Sequence, residues 1–107
     1  MSDSNQPSYD LVLAGGTVLD PASGRNERAD VAISGTTIAA IGPDLAAGAA
    51  QVVDCTGSTV TPGLVEGHSH IFQYVSKVGA PAEEAHLRRG VVAVADAGTA
   101  ANTEIRA

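Results

Sequence analysis

Residues 60 to 70 read Val-Thr-Pro-Gly-Leu-Val-Glu-Gly-His-Ser-His, and the imidazoles that close this run, His68 and His70, stand two residues apart. Strand side chains alternate faces, so the two rings project to the same side from Cα atoms roughly 6.6 Å apart. Two ring nitrogens can then converge on one cation at about 2.0 to 2.1 Å, the usual Zn–N distance, which makes the pair a candidate site for a divalent metal, Zn²⁺. Glu66 falls on the same face by the same period. A His-x-His pair also arises by chance in a chain with three histidines, and a short motif gains meaning only from its setting. Here the setting is the Leu64-Val65 apolar stretch entered through Pro62-Gly63, a strand end of the kind that carries the ligands of α/β enzymes.

The other reactive side chains read more plainly. Cys55 is the single cysteine, which excludes an intrachain disulfide and fits a reducing compartment. It reads as a small half-buried residue beside a turn, since thiol reactivity requires an electropositive setting. Lys77, the single lysine, reads as a solvated loop residue. His86 lies between Ala85 and Leu87 on an expected helix and reads as a surface residue rather than a ligand.

These side chains need elements to position them. Tyr9 to Asp20 reads as strand, tight turn at Gly15-Gly16, strand. Asp20-Pro-Ala-Ser-Gly24 is a turn, and the polar Arg25 to Arg28 reads as a solvated loop. Runs over 29–34 and 36–42 bracket Ser34-Gly35 as a hairpin. Asp44 to Ala50 reads as loop, while Gln51 to Asp54 and Ser58 to Thr61 read as short strands leading into Pro62-Gly63. Beyond His70 the pattern changes. Pro81 begins an expected helix over 81–89, with Glu83 and Glu84 in its first turn, Arg88 and Arg89 in its last, and Gly90 at its exit. Val91 to Ala95 is a continuous apolar run, as in a strand buried on both faces of a parallel sheet. Strand 64–70, helix 81–89 and strand 91–96 make one βαβ unit. Asn102-Thr-Glu-Ile-Arg reads as the opening of a further helix, so the chain reads as truncated at Ala107.

Composition bounds the function. At 107 residues the chain is one domain at most. Its aromatic residues are Phe72, Tyr9 and Tyr74, so the core must be built from small aliphatics. A formal net charge of −6 repels phosphate backbones and argues against nucleic-acid partners. Met1 to Ser8 lacks the cationic and apolar parts of a signal peptide and reads as a disordered lead-in. No apolar run approaches the roughly 18 residues of a membrane span. These features together point to a soluble, cytoplasmic protein with no membrane partner.

Three stretches, Tyr9-Asp-Leu-Val-Leu-Ala-Gly-Gly-Thr-Val-Leu-Asp-Pro21, Asp30-Val-Ala-Ile-Ser-Gly-Thr-Thr-Ile-Ala-Ala-Ile-Gly42 and Val53 to His70, resemble in order and spacing the beginning of a metal-dependent hydrolase of the amidohydrolase superfamily. Gly90-Val-Val-Ala-Val-Ala-Asp-Ala-Gly-Thr99 is similar to the dihydroorotase-like and deacetylase-like branch, in which the second barrel strand ends in Asp-Ala-Gly. The resemblance implies a β-sandwich beside a (β/α)8 barrel with one or two divalent metals at its C-terminal mouth. On that basis residues 1–8 are the lead-in, 9–62 the N-terminal part of the sandwich, and 63–107 the first two strands and first helix of the barrel, an α/β fold cut short. His68 and His70 become first-strand metal ligands. Asp96 gains a role behind the ligands or against the substrate, its alternative being to cap the turn at Gly98. Glu66 stands where the family commonly has Asp. The bridging carboxylated Lys or Glu, two further His ligands and the catalytic Asp of the family have no match here, and Lys77 fits none of them. The implied activity is hydrolysis of C–N bonds in amides or cyclic amides, or C–O bonds in esters, in a small-molecule substrate by metal-activated water. The 107-residue chain alone is expected to be inactive.

Two other classes compete. A cupin also carries His-x-His after a Gly, but needs a glutamate a few residues on, and Ile71 to Val75 supply none. A non-catalytic assembly module is the other, because the exposed strand edges of a partial sheet favour self-association or a homo-oligomer.

Overall fold

The structure, a computed structural model, describes residues 6–71 and 79–97. Lys77, the turn at Gly98, the helix opening at Asn102 and the first five residues of the lead-in lie outside them. The chain divides into two compact units, one ending at Pro62 and the other beginning at Gly63.

The first unit contains strands β1 (Tyr9–Asp20), β2 (Arg25–Ser34), β3 (Thr37–Gly42), β4 (Ala49–Asp54) and β5 (Thr59–Val60). They form one mixed sheet in the order β3-β2-β1-β4, with β5 also beside β1. β1 pairs antiparallel with β2 and parallel with β4 and β5. Gly15-Gly16 is not a turn. β1 runs through it as a single strand, carrying one residue more than β2 between the pairs Leu13↔Val31 and Gly16↔Ala29. Gly15 takes φ 76°, and its freed N–H donates to Asp30 Oδ1 at 2.9 Å. The two glycines therefore make a β-bulge, which bends a strand without reversing it. The other Asp30 oxygen accepts the Leu45 N–H at 3.0 Å, beside the 3-10 turn Ala46–Gly48 that interrupts the expected loop.

Arg25 to Arg28 is likewise strand rather than loop, paired with Asp20 to Thr17. Its polar side chains face solvent while its backbone completes the ladder, and Arg25 forms an ion pair with Glu27. Charge patterning reports exposure, and an antiparallel strand can be exposed on one face. The β2–β3 hairpin turns through Gly35 and Thr36, with Gly35 at φ 58°, where a two-residue hairpin requires positive φ. Val12, Val18, Ala29, Val31 and Ala32 are the buried hydrophobic residues, with Leu13, Ile41 and Val60 packed around Val18, Ala29 and Val31. All are small or aliphatic, as the composition demands.

The second unit contains β6 (Leu64–Ser69), the helix α1 (Ala82–Ala85), a 3-10 turn (Leu87–Arg89) and β7 (Val91–Asp96). β6 and β7 are parallel, which requires a crossover such as the intervening helical segment provides. That segment is shorter than expected. α1 closes at His86, whose φ of −124° and ψ of −65° leave the helical region. The chain then tightens into the 3-10 turn and exits through Gly90 in the left-handed region at φ 87°. The expected helix 81–89 counted charges that suit a helix dipole, and those charges suit two short turns as well. Glu83 and Arg88 still meet at 3.2 Å.

The apolar run of β7 is not buried on both faces. Val92 remains 63% exposed and Val65 of β6 72%, because among the described residues each strand has one neighbour. The Gly63 backbone lies close under Val92, where a Cβ at residue 63 would stand 2.5 Å from one Val92 methyl and 2.8 Å from the other. No helix among the described residues is long and apolar enough to cross a membrane.

Candidate functional site

His68 and His70 lie at the C-terminal end of β6, and the ladder around them is irregular. Between the pairs Glu66↔Val94 and Ser69↔Asp96, β6 has one residue more than β7, so Gly67 and His68 sit in a bulged stretch. Strict alternation from Glu66 to His70 is therefore lost. The Glu66 carboxylate turns back along its own strand, where Oε1 accepts the His68 N–H at 3.0 Å.

The two imidazoles nevertheless stay close together, edge to face. Their ring centroids stand 5.6 Å apart at an interplanar angle of 80°. Two imidazoles sharing one tetrahedral cation at ordinary Zn–N distances have ring centres on the order of 5 Å apart. His68 is exposed and His70 half-buried. His70 Nδ1 is buried without a hydrogen-bond partner among the described residues, a condition that a cation or a further polar group would relieve. The pair thus fits half of a metal site. Among the described residues, no group of three or more His, Cys, Asp or Glu side chains could hold an ion, so Glu66 does not complete the set.

The backbone around the pair is held from both sides. The Ser69 carbonyl accepts the Ala97 N–H at 2.7 Å, and the His70 carbonyl accepts the Ala80 N–H at 2.9 Å. Asp96, at the end of β7, reaches across so that Oδ1 accepts the Ile71 N–H at 3.1 Å. Its carboxylate therefore stands beside the residue that follows His70. Cys55 is half-buried in the first unit, its N–H donating to the Ala14 carbonyl at 2.7 Å.

His86 is not the surface residue its helix placement suggested. It is half-buried, and its Nε2 shares a 2.7 Å hydrogen bond with the Ser69 hydroxyl. Its Nδ1 is buried and lacks a partner among the described residues. Neither the role of Ser69 nor this bond was visible in sequence, because the partners are 17 residues apart and meet only where the helix breaks.

No protein-family model matches the chain. Individual proteins do. D-aminoacylase of Alcaligenes xylosoxydans xylosoxydans is 43% identical over 76 residues, covering 70% of this chain and 16% of that protein. Dihydroorotase of Streptococcus thermophilus is 45% identical over 60 residues, covering 56% of this chain and 14% of that protein. Among solved structures, an N-acyl-D-glutamate deacylase from Bordetella bronchiseptica, complexed with zinc and a phosphonate mimic of the tetrahedral intermediate, superposes with a TM-score of 0.65 at 29% identity, over 80% of this chain and 18% of that one. The chain is therefore homologous to metal-dependent hydrolases of the amidohydrolase superfamily, over a span that is less than a fifth of the length of each of these three relatives.

Proposed function

We propose that His68 and His70 are two protein ligands of a divalent-metal centre, Zn²⁺, in a hydrolase that cleaves amide, cyclic-amide or ester bonds of a small molecule. The observation that carries this reading is the 5.6 Å separation of the two rings at the end of β6, a spacing that one shared cation can span. The identity to D-aminoacylase and the superposition on a zinc-bound deacylase support the metal and the bond type. In this reading residues 9–62 are sandwich and residues 63–107 open a barrel, with β6 and β7 as its first two strands.

The chemistry such a cation supplies when bound is Lewis acidity, which polarises a carbonyl and brings the pKa of water to about 7. The chain's own residues orient. Glu66 fixes the backbone at His68, Ala97 and Ala80 fix the carbonyls of Ser69 and His70, and Asp96 fixes the strand just beyond. Catalytic zinc takes about three protein ligands and leaves one position open, so the remaining ligands come from outside the described residues.

The test is elemental analysis of the protein that carries this chain, stripped with chelator and reloaded with Zn²⁺. His68→Ala and His70→Ala should each lower metal content, together with turnover of N-acylated amino acids and cyclic ureides. Full occupancy in His68→Ala, or turnover that survives complete removal of metal, would sink the reading.

A further inference from the structure

We propose that His86 and Ser69 form a positioning pair that sets the orientation of the two metal-binding imidazoles, an inference that rests on the metal-site reading above. Ser69 is the residue between His68 and His70, so any rotation of its backbone moves both rings. It follows directly on the stretch where β6 has gained a residue over β7 and is the pair partner of Asp96, so the ladder is irregular on its N-terminal side and restrains the strand end less than a regular one would. The Ser69 hydroxyl replaces part of that restraint through its 2.7 Å bond to His86 Nε2.

His86 is itself well anchored. Its N–H donates to the Ala82 carbonyl at 3.0 Å, and its own carbonyl accepts the N–H groups of Arg89 at 2.9 Å and Val91 at 3.0 Å. The break in the helix occurs at this residue, so the departure from helical geometry and the bond to Ser69 belong to the same residue. A Ser–His pair also suggests a nucleophile and its base, but that arrangement needs a third group to orient the base. His86 Nδ1 has no such partner among the described residues. The described residues therefore support a positioning role for the pair and supply no third member of a nucleophilic set.

The experiment measures Zn²⁺ affinity by chelator competition, together with the visible spectrum of the Co²⁺-loaded protein, in Ser69→Ala, His86→Phe, His86→Gln, the Ser69→Ala/His86→Phe double variant and His68→Ala. Loss of a residue that orients a metal ligand costs about 10- to 100-fold in affinity, and Ser69→Ala and His86→Phe should each show such a loss with an altered Co²⁺ spectrum. The double variant should bind about as well as the weaker single variant, because both changes remove one bond. His86→Gln, which keeps a hydrogen-bonding amide near the position of Nε2, should recover most of the affinity. Ser69→Ala removes one oxygen from a half-buried site and keeps the test open if His86→Phe does not fold. If Ser69→Ala binds Zn²⁺ as wild type does while His68→Ala does not, the positioning role is wrong and the two-ligand reading stands. Wild-type affinity in His68→Ala would overturn both.

Discussion

At the scale of single residues, Asp30 holds more together than its polar character suggests. One oxygen caps the Gly15 N–H at the bulge of β1 and the other caps the Leu45 N–H, so the carboxylate ties the middle of the sheet to the segment after β3. Asp30→Ala leaves both donors without partners and should lower stability by about 2 to 3 kcal/mol in chemical denaturation, given the net worth of hydrogen bonds to charged groups. Asp54 behaves differently. The Thr56 hydroxyl, and then its N–H at 2.9 Å, bond to the Asp54 carboxylate and hold its pKa below the ordinary 3.8. A depressed carboxyl pKa stabilises the fold above the unfolded value and ceases to do so as pH falls through the folded one. The contribution is therefore intact at neutral pH and disappears only below 3.8. An NMR titration should find Asp54 ionised below that point, and Thr56→Val should move its midpoint upward. A midpoint at the ordinary value in the wild type would remove the argument.

At the scale of elements, the β6–β7 pair depends on a close approach. A Cβ at Gly63, just before β6, would meet both Val92 methyls under 3.0 Å, whereas one at Gly67 within β6 would meet nothing within 4 Å. Gly63→Ala should therefore destabilise the second unit by about 1 to 3 kcal/mol, the usual range for overpacking. Gly67→Ala should be nearly neutral. Equal effects from the two substitutions would show that Val92 moves aside. The short α1 is legible in part from sequence, since Pro81 and Gly90 mark its surroundings as expected. Its break at His86 was not, because helix propensity and charge placement are local quantities, whereas the bond to Ser69 forms between distant residues.

At the scale of the molecule, burial is uneven. The buried hydrophobic side chains among the described residues all belong to β1 and β2, while Leu64, Val65, Leu87 and Val92 in the second unit are more than half exposed. Local stability follows burial of apolar surface and protection of backbone hydrogen bonds. Amide hydrogen exchange should therefore be slowest at residues such as Val12 and Val31 and markedly faster throughout β7. Uniform protection across both units would overturn this contrast. If the proposed metal is bound at the end of β6, it would favour the ordered form of that strand.

The order of short strands, the hairpin at Gly35, the parallel pair around a helical segment and the spacing of His68 and His70 all follow from sequence. Alternation, turn residues and apolar runs are local patterns that survive into the fold. Tertiary structure decided the rest. Gly15-Gly16 became a bulge because Asp30 was available to receive its N–H, and Arg25 to Arg28 became strand because Thr17 to Asp20 lay opposite. Glu66 left the histidine face because β6 gained a residue against β7. His86 meets Ser69 at the residue where the helix breaks. Each of these outcomes is set by a partner 5 to 17 residues away or by register between strands, and neither quantity is encoded in the periodicity of a single segment.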